Sequence, residues 1–337
     1  MNLKDNQYKK YALVIEMMET VEVVKSFLPS CVEPFVEAIK KKPALFATGE
    51  GSSRIFPAKR SIYASLKTNG FNIVTEGSTQ ALDYNLDNYA VFGASNSGKT
   101  KELIRLFTKL KEAGHDSFFG LTSFQDTLLT GLSKASHVLT CGKENAVAAT
   151  KSVVEQGLFY DSLLRHLDGS GMEGLTKLSE DIEAALTLKI DSKLIKLIKN
   201  AETILFSGKN TGVAEELRLK TNEITRKKSD YLEGTYAVHG IEEVLNKTDV
   251  VILIDPFESE EEKFRECLVD GVGMNVIAIS KRETIFPTIK IPDGGEYEHY
   301  VELVAGWNIL VETGLALGID LDKPVRARKV GNEYIAG

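Results

Sequence analysis

Apolar residues recur along this chain in two alternating rhythms. Short apolar runs at 44–48, 71–75, 89–92, 118–122 and 137–141 have the length of buried strands. Between them the spacing turns helical. Val14, Met17, Met18, Val21, Val24 and Leu28 share one face of a predicted leading helix over 11–28. Further helices are expected at 36–39, 55–67, 79–85 and 146–167, and Leu103, Ile104, Leu106, Phe107 and Leu110 mark another after 100. Strand, crossover helix and strand in succession imply a parallel sheet covered by helices on both faces.

The second half repeats the order. The run 203–208 answers 45–49, the helix 213–225 answers 55–67, and 250–255 answers 89–93 with a helix at 260–268 behind it. The strand 276–280 then answers 118–122, and a long helix over 300–318 answers 146–167. Corresponding strands lie about 160 residues apart, the mark of an internal duplication. The expected fold class is α/β, with two tandem doubly wound domains, each a parallel sheet flanked by helices. The boundaries read as a helical segment at 1–35, a first domain at 36–175, a second at 176–319 and a tail at 320–337, with the glycine-containing, polar stretch 167–196 as the join.

Between the strand at 89–92 and its helix lies GASNSGKT, residues 93–100. A loop at a helix N-terminus offers backbone N–H groups without helical partners and the positive end of the dipole, so it can hold an anion. Ser95, Ser97 and Thr100 add hydroxyl donors, and Gly98 permits close backbone approach. Two parses compete. Gly93, Gly98, Lys99 and Thr100 fit the P-loop of nucleotide-binding proteins, with Asp255 at the end of 250–255 as an acidic partner. The alternative is a hydroxyl cluster for a sugar phosphate. The duplication disfavours the P-loop, because Asp255 then belongs to the other sheet.

Length favours two domains, since 337 residues exceed a usual single core. The net charge of -7 argues against nucleic acid or an anionic membrane as partner. Cys31, Cys141 and Cys267 are too few and scattered for a disulfide framework or a metal site, so no metal is expected and a reducing, cytoplasmic location is the default. The N-terminal stretch has no uninterrupted apolar core of a signal peptide, and no segment approaches the length of a membrane span.

Candidate chemistry lies in the second half. Glu216, Lys220 and Glu223 stand at i, i+4 and i+7 on one face of the helix after Gly208, either as a solvated ion-pair stripe or as an acid–base set. His239, in a turn next to Gly240 and leading into a helix expected at 241–246, is better placed for a ligand than His115, His137, His166 or His299.

In this order and spacing the motifs resemble those of the double sugar-isomerase (SIS) family, which includes the isomerase domain of glutamine:fructose-6-phosphate amidotransferase and stand-alone phosphosugar isomerases, deaminases and deglycases. Gly51-Ser52-Ser53 is similar to the family's first sugar-binding turn, and Ser95-Asn96-Ser97-Gly98-Lys99-Thr100 to its S-x-S-G-x-T phosphate loop. The stretch from Glu144 through Val147 and Ala149 to Lys151 resembles E-x-x-V-A-S-T-K, the run from Glu216 to Glu223 resembles E-x-x-x-K-x-x-E, and His239-Gly240 resembles the H-G motif. The tail from Asp320 to Lys329 resembles the segment that closes on the sugar. The P-loop match then reflects Lys99 at a variable family position.

The resemblance implies a sugar 6-phosphate substrate bound at Gly51, Ser52, Ser53, Ser95, Asn96, Ser97, Thr100, Val147, Ala149 and Glu216. It implies ring opening by His239, proton transfer between C1 and C2 by Glu223, and Lys220 as oxyanion stabiliser or proton acceptor. Lys329 would form an imine with a ketose or neutralise phosphate charge. No cofactor is implied, and the family's pattern suggests a homodimer with shared active sites. Val238 and Ile241 flank the H-G motif where the family has K and P, and Ala149 replaces a common serine. With no cysteine glutaminase domain in front, a catabolic reaction is expected: aldose–ketose isomerisation or aminosugar-phosphate deamination. Alternatives are a fructosamine-6-phosphate deglycase, a non-catalytic phosphosugar-binding protein and, least favoured, a P-loop NTPase.

Overall fold

The computed structural model describes residues 1–326 and 333–334. In chain order, the first half contains α1 (Asn6–Lys9), α2 (Ala12–Ser26), α3 (Glu33–Ile39), β1 (Ala44–Gly49), α4 (Ile55–Thr68), β2 (Ile73–Gly77), α5 (Ser78–Ala81), β3 (Tyr89–Ala94), α6 (Lys101–Glu112), β4 (Phe118–Thr122), α7 (Leu128–Leu132), β5 (Ala135–Val138) and α8 (Lys151–Leu167). The second half continues with α9 (Leu175–Thr187), α10 (Ser192–Asn200), β6 (Thr203–Gly208), α11 (Val213–Thr225), β7 (Lys228–Glu233), β8 (Val250–Ile254), α12 (Glu261–Phe264), a π-helical stretch (Arg265–Val272), β9 (Asn275–Ser280), β10 (Thr288–Lys290) and α13 (Glu298–Ala316).

Both sheets have five parallel strands, ordered β2-β1-β3-β4-β5 and β10-β9-β8-β6-β7. The expected duplication is therefore the observed architecture. It extends to single atoms. Gly49 faces Ala94 across β1 and β3, and a Cβ on Gly49 would stand 2.7 Å from the Ala94 carbonyl oxygen. Gly208 faces Ile254 across β6 and β8 in the same way, at 2.8 Å. Only glycine lets these paired strand ends approach so closely.

The central strands β1, β4 and β8 are buried along their whole length, as continuous apolar runs in a helix-covered parallel sheet should be. Helices α8 and α13 are buried on nearly every face. In the first sheet's core, Phe35, Phe92, Phe119 and Phe159 pack with ring centroids 5.2–5.8 Å apart.

The chain divides into two compact units. Of the described residues, one comprises 22–144, 149–176 and 333–334 and holds the first sheet; the other comprises 1–21, 145–148 and 177–326 and holds the second. Within the latter, Asp322 receives the N–H groups of Ala12 at 2.7 Å and Leu13 at 3.0 Å, capping the start of α2. The Tyr8 hydroxyl donates to Glu312 at 2.6 Å.

Several local expectations are corrected. Helix α8 starts at Lys151 rather than 146, because the preceding loop is held by buried carboxylates instead of helical hydrogen bonds. The helix expected at 241–246 is a single 3-10 turn, Ile241–Glu243. Strands β7 and β10 were not anticipated. In β7, KSDYLE, only Leu232 is fully buried, so an edge strand carries little apolar signal. Among the described residues no helix is long and apolar enough to cross a membrane.

Candidate functional site

In the first sheet, strand order reverses between β1 and β3, so the loops after these two strands flank a crevice at the carboxyl edge. Gly51-Ser52-Ser53 forms a 3-10 turn after β1, with Ser52 buried and Gly51 exposed. The loop 95–100 follows β3 and enters α6 through Thr100, whose side chain makes no cap hydrogen bond. The expected phosphate loop thus stands at a helix N-terminus.

Part of its donor set is used within the loop. The Ser95 and Thr100 hydroxyls are 2.7 Å apart and share one hydrogen bond. The Gly98 N–H donates to the Ser95 carbonyl at 3.0 Å, and the Lys99 N–H to the Ser97 hydroxyl at 3.2 Å. The N–H groups of Asn96 and Ser97 find no partner among the described residues. Gly98 has φ +65°, and a Cβ there would fall 2.3 Å from the Thr127 hydroxyl. Such a turn presents several N–H and O–H groups to one anion.

Sequence reasoning missed a residue behind this loop. Glu144 is 1% exposed and accepts from Asn96 Nδ2 at 2.9 Å, the Thr150 N–H at 2.7 Å and the Ser152 hydroxyl at 2.5 Å. The only sequence signal was its place at the head of the E-x-x-V-A-S-T-K-like stretch. Ala149, half-buried, precedes the Thr150 that Glu144 fixes.

The predicted residues Val147, Glu216, Lys220, Glu223 and His239 belong to the other unit. On α11, Lys220 Nζ lies 3.2 Å from Glu216 Oε1 and 3.0 Å from Glu223 Oε2. The Lys220 and Glu216 side chains are fully buried, while Glu223 keeps 23% of its side chain exposed. Burial alone would depress the Lys220 ammonium; the charges of Glu223 and Glu216, with their hydrogen bonds, outweigh it and hold the group above the usual lysine range. The set is therefore not the solvated stripe that its spacing allowed. It is a buried ammonium between two carboxylates, one of them partly exposed.

His239 follows the 3-10 turn Tyr236–Val238 and is exposed, with Nε2 3.1 Å from the Thr235 hydroxyl. Its described contacts are with Thr235 and Tyr236, and it makes none with the α11 set. Val147 is half-buried. In the same segment the Ala146 N–H donates to Glu16 at 3.2 Å. Lys329 lies outside the described residues.

The second sheet's reversal point, between β6 and β8, has different chemistry. Lys209 pairs with Asp255, Lys281 lies 3.0 Å from Glu298, and carboxylate oxygens of Asp255, Glu298 and Glu302 lie within 4.8 Å of one another. Lys209 and Lys281 close these acids with ion pairs, and the residues straight after β8, Asp255-Pro256-Phe257-Glu258, carry no hydroxyl cluster like that of 95–100.

No protein-family model and no curated protein sequence matches the chain. Solved structures do. Tagatose-6-phosphate ketose/aldose isomerase from Escherichia coli superposes with TM-score 0.80 at 16% identity, over 95% of this chain and 98% of that one. The C-terminal domain of glucosamine-fructose-6-phosphate aminotransferase from Francisella tularensis gives 0.77 at 17% identity, over 95% and 100%. Glucosamine-6-phosphate deaminase from Thermotoga maritima gives 0.70 at 18%, over 93% and 98%. At these identities the likeness establishes a shared fold.

Proposed function

We propose that the protein is a phosphosugar isomerase or aminosugar-phosphate deaminase that moves a proton between C1 and C2 of an open-chain hexose 6-phosphate or its amino derivative. The observation that carries this reading is the α11 set, in which a fully buried ammonium fixes the partly exposed Glu223 carboxylate at 3.0 Å. A binding module has no need of such an arrangement; a proton-transfer enzyme does.

The phosphate is assigned to the hydroxyls of Ser95, Ser97 and Thr100 and the N–H groups of Asn96 and Ser97. His239 opens the ring, taking the anomeric hydroxyl proton and delivering one to the ring oxygen. Glu223 then removes the proton from C2 of an aldose. The C–H electron pair becomes the enediol double bond and the C1 carbonyl oxygen takes a proton; Glu223 then returns its proton to C1 while the C2 hydroxyl gives up its own, leaving the C2 carbonyl of the ketose. With an amino group on C2, the same C2-to-C1 transfer leaves an imine at C2, which water hydrolyses to a ketose with release of ammonia. Lys220 stabilises the negative charge developing on oxygen. Because its neighbours hold it protonated, the electrostatic role is favoured over that of proton acceptor.

The shared fold with an isomerase and a deaminase, by their names, supports the same class of substrate. Tyr236 and Val244, both exposed on the segment that carries His239, support the proposal that this segment meets a second copy of the chain in a homodimer.

A thermal-shift panel of magnesium ATP, fructose 6-phosphate, glucosamine 6-phosphate and a fructosamine 6-phosphate tests the reading. A sugar phosphate at a hundredfold excess over its Kd should add about 2.7 kcal/mol of stability. Assays for ketose–aldose conversion, ammonia and free amino acid on the best binder then separate isomerase, deaminase and deglycase. Stabilisation by ATP alone would overturn the assignment.

A further inference from the structure

Glu144 is buried in the unit of the first sheet and acts only as an acceptor, yet its bonds reach two separate elements. Oε1 accepts from the Thr150 N–H at 2.7 Å and the Thr150 hydroxyl at 3.1 Å, where α8 begins. Oε2 accepts from the Ser152 hydroxyl at 2.5 Å and from Asn96 Nδ2 at 2.9 Å, in the loop after β3. The first group caps a helix: a carboxylate at an N-terminus satisfies orphan N–H groups and gains from the dipole. The last does something else. It fixes a side chain of the anion-binding loop from behind.

The Asn96 backbone is held as well. Its carbonyl accepts from the Thr122 hydroxyl at 3.2 Å and the Ser123 N–H at 3.1 Å. A trans peptide plane sends the next N–H in the opposite direction, so the Ser97 N–H is turned away from the end of β4. That group has no partner among the described residues. Side chain and carbonyl of Asn96 are both occupied on the protein side, which leaves this peptide's donor for an anion.

We propose that Glu144 is a positioning residue for phosphate binding, acting through Asn96 to hold the Ser97 peptide in its anion-binding orientation. It touches no substrate. The proposal rests on the phosphate role given above to the loop 95–100.

Titration calorimetry of the full chain with inorganic phosphate and with fructose 6-phosphate tests it, on wild type, Glu144→Gln, Asn96→Ala and the double variant. A glutamine keeps the shape but sets an NH2 against the donors around it. The expected result is a loss of about tenfold or more in affinity for both ligands in each single variant, the scale of one hydrogen bond to a charged group. In the double variant the loss should be no larger than in either single one, because both act on the same contact. KM for the turned-over sugar phosphate should rise with kcat nearly unchanged. A purely helix-capping role would leave phosphate affinity unmoved or give additive losses, and either outcome overturns the inference. If Glu144→Gln does not fold, Asn96→Ala, which leaves the α8 cap in place, carries the test, and unchanged affinity there also overturns it. Wild type that binds neither ligand would remove the phosphate reading itself; wild type that binds while the variants behave additively removes this inference alone.

Discussion

The Lys220 ammonium stands 3.0 Å from the Glu223 carboxylate with none of its own side chain reaching solvent. A long cationic side chain is seldom buried completely unless it is paired, and here Glu216 pairs it from the preceding turn at 3.2 Å. One carboxylate neutralises the lysine inside the fold, leaving the other positioned but accessible.

Glu223→Gln should therefore lower kcat by about 100- to 10,000-fold, the usual worth of a general base, with the Kd of fructose 6-phosphate nearly unchanged. Steady-state kinetics together with calorimetry decide this. Unaltered turnover would remove Glu223 from the proton transfer.

Lys220→Met should destabilise the fold by about 3–5 kcal/mol, because it removes the ammonium paired with the buried Glu216 carboxylate. Adding Glu216→Leu to that variant should restore much of the loss, since an apolar pair of similar size replaces the buried ions. Urea denaturation of the single and double variants measures both. An additive second loss would contradict the pairing.

Stability should also fall as pH rises above the ordinary carboxylate range. Burial, then the charges of Glu298 and Asp255, push the Glu302 carboxyl well above its usual value, against the opposing pull of Lys209 and Lys281. An unfolded chain releases this proton at the ordinary carboxylate pKa while the folded chain keeps it, so between the two values the folded state binds more protons and loses stability with increasing pH. Below the ordinary value both states are protonated and the term vanishes. Glu302→Gln should accordingly raise the Tm at pH 7.5 relative to wild type, and the gain should shrink toward pH 4, as calorimetric scans across that range would show.

Gly98→Ala should cost about 1–3 kcal/mol and abolish phosphate binding. Its φ of +65° is strained for any side chain, and the new methyl would collide with Thr127 at the base of the loop. Melting curves with and without phosphate provide the measurement. A variant with wild-type affinity would show that the loop tolerates another shape.

Much of this was legible in the chain itself. The continuous apolar runs of β1, β3, β4, β6, β8 and β9 are a local property, and their recurrence about 160 residues on is enough to predict two like sheets. The loop 93–100 also announced itself, because hydroxyls and Gly98 between an apolar strand and an amphipathic helix form a pattern within a dozen residues.

What escaped the sequence depends on partners far away in it. Strand β7 exists because β6 offers it an edge, and its own residues are too polar to declare a strand. The late start of α8 follows from the bonds of Glu144 and from Glu16, whose carboxylate holds the Asn145 and Ala146 N–H groups from more than a hundred residues away. Periodicity fixed which faces are apolar, since that is written residue by residue. Whether Lys220 is a buried ammonium or a surface charge, and whether Asn96 is steadied from behind, depends on desolvation and hydrogen-bond geometry, which arise only when distant segments of the chain meet.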